Sequence, residues 1–136
     1  MVKIGLVYEG ALRCRLTHGP SSSEISTDAP KDNMGKGEAF SPTDLTAASL
    51  GSCMLTTMAI VAARKGFEFK GASAEVMKEM VAEPERRLGK IHVKIEMPQG
   101  LAADQRAMLE RAAHACPVAK SLHPSVEIPT KFNYQD

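Results

Sequence analysis

The stretch SPTDLTAASLGSCMLTTMAIVAARKG, residues 41–66, decides the fold because it carries the signals of one long helix. Ser41 is a favoured N-cap residue, Pro42 suits the first helical position, and Asp44 stands three residues after the cap, as in a capping box. Gly66 can adopt the left-handed conformation that commonly ends a helix. The segment therefore predicts a helix with both ends defined and a cysteine near its middle.

No charged side chain occurs between Leu45 and Ala63, a run of 19 residues. As a helix, this run would be about 28 Å long, close to the thickness of a bilayer core. Its hydroxyl-bearing residues and its many Ala and Met side chains argue against a membrane span. A helix that is apolar all round is otherwise covered by protein on every side. One small sheet does not provide that cover, so we expect a second copy of the chain to complete it in an obligate dimer.

The composition fits one domain over residues 1–136. There are 17 basic and 16 acidic residues, so the net charge of +1 gives no electrostatic indication of a nucleic acid or anionic lipid partner. Three Cys without a CxxC pair and four His without ligand-like spacing predict neither a disulfide scaffold nor a metal site. The first ten residues lack a long apolar run, so we expect no signal peptide and a cytoplasmic location.

The rest of the chain predicts short strands around the helix, which indicates an α+β fold. The first two strands alternate apolar and polar residues and are expected to be half-buried and joined at Glu9–Gly10. A loop over residues 28–40 is long for a connector, and such loops often cover a site. The predicted elements are strands over 2–8, 11–17 and 24–28, a hairpin within 67–98, a second helix over 102–115, and a final strand within 125–135.

Two cysteines occupy positions where chemistry is conceivable. Cys116 precedes Pro117, so it is expected to cap a short helix whose N–H groups, together with Lys120, favour a thiolate. A buried filler role for Cys116 is an equal alternative. Cys53 lies within the uncharged helix and, by pattern alone, suits packing better than reactivity. Cys14 falls on the apolar face of an early strand and is interpreted as structural.

The strings FSPTDLTAASLGSCMLTTM and CPVAKSL together resemble the OsmC/Ohr family, the osmotically induced and organic hydroperoxide resistance proteins. The resemblance implies an OsmC-like α+β fold with N-terminal antiparallel strands, a long central helix, a β-hairpin, a second helix and a final strand, in an intertwined homodimer. It also implies that Cys53 is the peroxidatic thiolate and Cys116 the cysteine that resolves it. An arginine of the N-terminal strands would hold the thiolate, with Arg13 the first candidate and Arg15 the second.

The implied activity is a thiol-dependent peroxidase that reduces organic hydroperoxides to alcohols, protects against oxidative stress, and needs no metal, haem or flavin. An external dithiol would reduce the enzyme, and a lipoyl-type dithiol is one candidate. We expect apolar walls from Leu50, Met54, Phe40 and Met34 to favour fatty or aromatic peroxides. The alternative is a non-catalytic binding protein that holds an apolar ligand in a pocket at the dimer interface.

One position departs from the family pattern. Better known members carry a Glu directly after the Pro of the helix motif, where it pairs with the arginine, and this chain has Thr43 there. Asp44 and Glu38 are the candidates to replace it, although Asp44 already has a capping role. The departure predicts a weakened peroxidase activity.

Overall fold

The computed structural model describes residues 1–135. They form two compact units, Met1–Thr46 and a second unit that begins at Ala47. The prediction of a single domain over residues 1–136 stays a prediction.

The first unit contains a three-stranded antiparallel sheet in the order β1 (Ile4–Gly10), β2 (Arg13–His18) and β3 (Glu24–Asp28). The strands were expected to be half-buried, but the apolar side chains of β1 are exposed, by 64% at Leu6 and 64% at Tyr8. The alternating pattern gives the strands an apolar face, but among residues 1–135 that face is left exposed on β1. The turn also differs from the expectation, because β1 continues through Gly10 and the chain reverses at residues 11–12.

Residues 29–40 form a loop that contains one 3₁₀ turn, Lys31–Asn33. Its two ends meet where the backbone N–H of Asp28 donates to the carbonyl of Phe40 at 3.1 Å. Gly35 lies so close to the loop's own backbone that a Cβ there would stand 1.7 Å from the carbonyl oxygen of Ala29. The loop is therefore folded back on the end of β3.

Helix α1 runs from Pro42 to Lys65. The predicted capping box is present, because the Ser41 hydroxyl accepts the N–H of Asp44 at 3.0 Å and the Asp44 carboxylate accepts the N–H of Ser41 at 2.9 Å. Gly66 follows with a φ of 78°, so both predicted ends are confirmed. By length and composition alone α1 could cross a membrane, a test that the core helix of a soluble protein also passes.

The second unit contains a sheet in the order β4 (Ser73–Val81), β5 (Arg87–Glu96) and β6 (Thr130–Asn133). The hairpin β4–β5 is antiparallel, and β6 joins β5 in parallel. Helix α2 (Ala103–His114) and the short helix α3 (Pro117–Ser121) connect β5 to β6. The architecture is the predicted α+β fold.

One face of this second sheet supplies the core. Ile91, Val93 and Ile95 of β5 share one face and are buried, together with one side of α1 and Leu109 of α2. Gly51 brings α1 close to β4, since a Cβ at this position would stand 2.9 Å from a methyl carbon of Val76. The buried side chains of the core include Leu50, Met54, Met58, Ile91, Val93, Ile95, Leu109, Ala113 and Cys116.

Candidate functional site

Cys53 lies in the middle of α1 and packs against the core of the second unit. Its side chain is partly exposed, between the buried Met54 and the exposed Ser52. One turn further along the helix, the hydroxyl of Thr57 stands 3.9 Å from the Cys53 sulfur. Cys53 is therefore at the edge of the buried face of α1, where a sulfur can have both protein neighbours and access to solvent.

Cys116 occupies the N-cap position of α3, as the Cys-Pro sequence predicted. Its backbone is extended, with φ −63° and ψ 147°, and its sulfur accepts the backbone N–H of Ala119 at 3.4 Å. The side chain is fully buried. Cys116 is thus held by the start of α3 and enclosed by the core.

The fold brings these two cysteines together, although they are far apart in the sequence. Both are free thiols, and the Cys53 side chain is a neighbour of the Cys116 side chain. Burial is the largest cause that raises the pKa of the Cys116 thiol, the N–H of Ala119 opposes it, and the neighbouring Cys53 raises it further. Cys116 is therefore a neutral thiol at neutral pH.

This result corrects the expectation that the helix start favours a thiolate at Cys116. The N–H group of Ala119 does lower the pKa, as predicted, but complete burial has the larger effect in the opposite direction. Lys120 was also expected to favour the thiolate, but its side chain is not among the causes that change the pKa of Cys116. The helix cap fixes the position of the sulfur but does not keep it ionised.

Arg13 lies in the first unit, at the start of β2 and directly opposite Asp28 of β3. Its guanidinium forms two ion pairs, at 3.4 Å with Asp28 and at 3.3 Å with Glu38. Arg15 lies on the same face of β2 but pairs at 3.9 Å with two exposed acids, Glu9 and Glu24. Arg13 is thus the more closely held of the two candidate arginines.

The acids considered as replacements for the family Glu differ in their contacts. Glu38 pairs with Arg13, whereas one carboxylate oxygen of Asp44 accepts the backbone N–H of Ser41 in the helix cap. The Thr43 hydroxyl lies 3.2 Å from the hydroxyl of Ser41. Of the two acids considered as replacements, Glu38 is therefore the one that contacts Arg13.

Asp28 is a charged residue that the sequence reasoning missed. Its side chain is only 1% exposed, and its Oδ2 atom contacts both Arg13 and the backbone N–H of Glu38. The available signal was an Asp that ends a strand directly before the long loop, with an arginine on the neighbouring strand. Arg13 lies opposite Asp28 because of the register of β2 against β3, and this register could not be predicted from the sequence.

The four side chains expected to form apolar walls differ in their exposure. Leu50 and Met54 have no exposed surface and belong to the core of the second unit. Met34 and Phe40 lie in the first unit and are 88% and 55% exposed. Leu50 and Met54 therefore do not line an open pocket, because the helix turns them toward the sheet.

Two grooves do lie along α1 within the second unit. The larger, about 380 Å³, runs between the helix and β4 and is lined mostly by small and apolar side chains, among them Ala48, Leu55 and Val76. A neighbouring groove of about 300 Å³ shares Leu55 and reaches Phe69. Within residues 1–135, no group of three or more His, Cys, Asp or Glu side chains could hold a metal ion.

These observations define an α+β protein with two three-stranded sheets, a long central helix and a pair of interacting thiols. The family model described as OsmC-like protein matches residues 35–131, so the chain belongs to the OsmC-like protein family. The sequence resemblance to the OsmC/Ohr family is thereby confirmed. A comparison with curated proteins found no match.

Solved structures support the same fold. A Psychrobacter arcticus 273-4 protein, whose name refers to osmotic stress induction and detoxification response, is 44% identical, with a TM-score of 0.91 over 98% of this chain and 96% of that one. An organic hydroperoxide resistance protein OsmC from Legionella pneumophila is 18% identical, with a TM-score of 0.76 over 98% and 96% of the two chains. The organic hydroperoxide resistance protein OhrB of Bacillus subtilis is 17% identical, with a TM-score of 0.72 over 98% of each chain.

Proposed function

We propose that this protein is a thiol-dependent peroxidase that reduces organic hydroperoxides to alcohols and so contributes to resistance against oxidative stress. The observation that carries the proposal is the proximity of the Cys53 and Cys116 side chains, which is close enough for Cys53 to raise the pKa of Cys116. Two family relatives of low identity are named organic hydroperoxide resistance proteins, which agrees with this substrate class.

In the proposed first step, the Cys53 thiolate attacks the terminal oxygen of the hydroperoxide. The O–O bond breaks, a proton is taken up, an alcohol leaves, and Cys53 becomes a sulfenic acid. Cys116 then attacks the Cys53 sulfur, so that an intrachain disulfide forms and water leaves. The partial exposure of Cys53 and the full burial of Cys116 support this order, because the peroxide reaches the exposed sulfur first.

We assign Arg13 the role of binding the peroxide and favouring the ionised form of Cys53. A guanidinium is always charged and presents several fixed N–H donors, so it suits both tasks. Arg13 is preferred over Arg15 because its two ion pairs are shorter and one of its partners is buried. Arg13 therefore has acidic partners in Asp28 and Glu38 although position 43 is a threonine.

The cycle closes when an external dithiol reduces the Cys53–Cys116 disulfide by thiol exchange and is itself oxidised to a disulfide. A lipoyl-type dithiol has the required chemistry. The chemistry of these steps needs only thiols, so we propose no metal, haem or flavin. A reducing cytoplasm is the compartment that suits the reduced cysteines.

We further propose that the protein acts as a homodimer. The apolar residues of β1 are exposed, and only 33% of the most apolar window of α1 is buried. Exposed apolar area of this kind usually marks an interface. A second copy of the chain is the proposed occupant, in agreement with the intertwined dimer that the sequence resemblance implied.

The second candidate function is the binding of an apolar ligand without catalysis. The grooves along α1 favour it, since their linings are largely apolar and contain neither Cys53 nor Cys116. In this alternative the two cysteines only line the core. The two functions differ in what happens to the thiols when an organic peroxide is added.

A stopped-flow thiol assay separates the two functions. Reduced protein is mixed with cumene hydroperoxide or hydrogen peroxide, and remaining thiols are counted in the wild type, Cys53→Ser, Cys116→Ser and the matched control Cys14→Ser. The proposal expects two thiols lost per chain in the wild type and in Cys14→Ser, with the organic peroxide reacting faster. Cys53→Ser should lose none rapidly, and Cys116→Ser should hold a sulfenic acid that dimedone traps.

Survival of all thiols in the wild type under excess organic peroxide would contradict the peroxidase and favour the binding protein. Retention of a fatty acid or aromatic ligand by the purified protein would then be measured by mass spectrometry. Rapid thiol loss in Cys53→Ser would instead show that another cysteine reacts first.

A further inference from the structure

The turn that precedes Arg13 has an unusual backbone. Gly10, Ala11 and Leu12 have φ values of 87°, 53° and 64°, so two residues with side chains occupy the left-handed region. A bulge between Tyr8 and Gly10 shifts the register of β1 against β2 at the same place. Strained residues and bulges are found where a chain must aim a particular side chain, and here the next residue is Arg13.

Asp28 lies opposite Arg13 and is buried, with 1% of its side chain exposed. Its Oδ2 atom accepts the backbone N–H of Glu38 at 3.0 Å and the guanidinium of Arg13 at 3.4 Å. The N–H of Glu38 is the largest cause that lowers the pKa of Asp28, and Arg13 lowers it as well, against the effect of burial. The buried carboxylate is therefore ionised at neutral pH.

The other carboxylate oxygen of Asp28, Oδ1, has no hydrogen-bond partner within the described residues. A buried charged oxygen without a partner is costly, so its retention calls for a reason. Packing does not supply one, because an apolar residue would fill the same space without that cost. The interactions of Oδ2 with Arg13 and with the loop provide the reason for an aspartate at this position.

Asp28 also fixes the loop that carries the second acid. Its backbone N–H donates to the carbonyl of Phe40 at 3.1 Å, and its side chain accepts the N–H of Glu38. Glu38 is 57% exposed and contacts Arg13 from the loop. The same buried carboxylate therefore sets the position of the guanidinium and the position of the loop next to it.

We propose that Asp28 is the positioning residue for Arg13 and takes the part of the acid that Thr43 does not supply. This inference rests on the proposed function, in which Arg13 acts on Cys53 and the peroxide. Asp28 itself does not touch the reacting atoms. Glu38 is the exchangeable partner, because it is exposed, whereas the buried Asp28 keeps Arg13 in place.

The test compares Asp28→Asn with the matched control Glu24→Gln, an exposed acid on the same strand that pairs with Arg15. Asn keeps the shape of Asp but loses the charge that holds the guanidinium. We expect the rate constant for Cys53 oxidation by cumene hydroperoxide to fall at least about tenfold in Asp28→Asn and to change less than about twofold in Glu24→Gln, the range of a weak surface pair.

A double-mutant cycle with Arg13→Lys tests whether Asp28 acts through Arg13. The expected result is that Asp28→Asn slows the wild type but does not slow Arg13→Lys further. Independent, multiplying effects of the two substitutions would overturn the proposal. The pH dependence of the rate of Cys53 oxidation adds a second criterion. If Asp28→Asn displaces the Arg13 guanidinium, the midpoint of the profile moves to higher pH. If the substitution only removes a negative charge, the midpoint moves to lower pH.

Trypsin cleavage at Lys31 and Lys36 provides a readout that needs no peroxidase activity. Asp28→Asn should speed cleavage of the folded protein several-fold, since the loop loses its buried anchor, while Glu24→Gln should not. Asp28→Glu, which keeps the charge but displaces the guanidinium, serves if the Asn variant does not fold. Unchanged cleavage in both Asp28 variants overturns the inference, whereas absence of peroxide reaction in the wild type overturns only the proposed function.

Discussion

The two three-stranded sheets have the same alternation of apolar and polar residues, but they differ in whether the apolar side chains are buried. In the second sheet, Ile91 and Ile95 of β5 are completely buried against α1 and α2. In the first sheet, Ile4 and Leu6 of β1 are 54% and 64% exposed. The comparison teaches that period-two alternation identifies which side chains share a face, but not whether the same chain covers that face.

The largest expected effect concerns the covered face. Ile95→Ala should lower the free energy of unfolding by about 2–5 kcal/mol, because it leaves a cavity in a packed core. Met77→Ala, on the opposite and exposed face of the same sheet, should change it by less than about 0.5 kcal/mol. Urea denaturation measures both. Equal effects of the two substitutions would remove the distinction between the faces.

The next effect concerns the uncovered face and depends on the proposed dimer. Leu6→Asp would place a charge in the proposed interface, where an unpaired buried charge costs about 3 kcal/mol or more. The dimer dissociation constant should therefore rise at least about a hundredfold. Sedimentation velocity over a dilution series measures it, with Glu9→Gln on the polar side of β1 as the control. A monomeric wild type, or a Leu6→Asp variant that stays dimeric, would contradict the comparison.

A third prediction uses Cys116, which lies in the covered core. Its pKa is higher in the folded chain than the ordinary value of 9.0, so the unfolded chain releases this proton first. The resulting stabilisation is present below the unfolded pKa and is lost as the pH rises through the folded pKa. Under reducing conditions, stability should fall above pH 9 by up to about 1.4 kcal/mol per pH unit. Cys116→Ala should lack this component, and an identical pH dependence in the variant would contradict the assignment.

The smallest expected effect concerns the cap of α1. Ser41→Ala removes the hydroxyl that accepts the N–H of Asp44 and should cost about 1 kcal/mol. Ser41→Thr retains a hydroxyl acceptor without adding a charge and should cost less. Thermal unfolding of the two variants side by side provides the measurement. A loss of several kcal/mol would mean that Ser41 has a further role.

Local signals explain why much of the fold could be predicted. The limits of α1 follow from Ser41, Pro42 and Gly66, and the buried face of β5 follows from its alternation, since neighbouring residues alone set these features. The Cys-Pro pair likewise placed Cys116 at a helix cap. Where the physical cause lies within a few residues, sequence reasoning was sufficient.

The features that were missed depend on distant residues. The ionisation of Cys116 was misjudged because burial by the core outweighs the cap. Asp28 was overlooked because its meeting with Arg13 depends on the register of β2 against β3. The roles of Cys53, Cys116 and Arg13 came from the family resemblance, and they stay predictions. The sequence pattern alone did not distinguish a reactive sulfur in α1 from a packed one.

The sequence order of the two cysteines has a consequence during synthesis. Cys116 is made 63 residues after Cys53, an interval of about 3–13 s at 5–20 residues per second. During that time Cys14 is the only other cysteine of the chain already made. If Cys53 reacts as proposed, the internal disulfide open to it during that time is the one with Cys14, rather than the proposed one with Cys116. In the proposed mechanism, the fold therefore offers Cys53 its resolving thiol only after translation has passed α3.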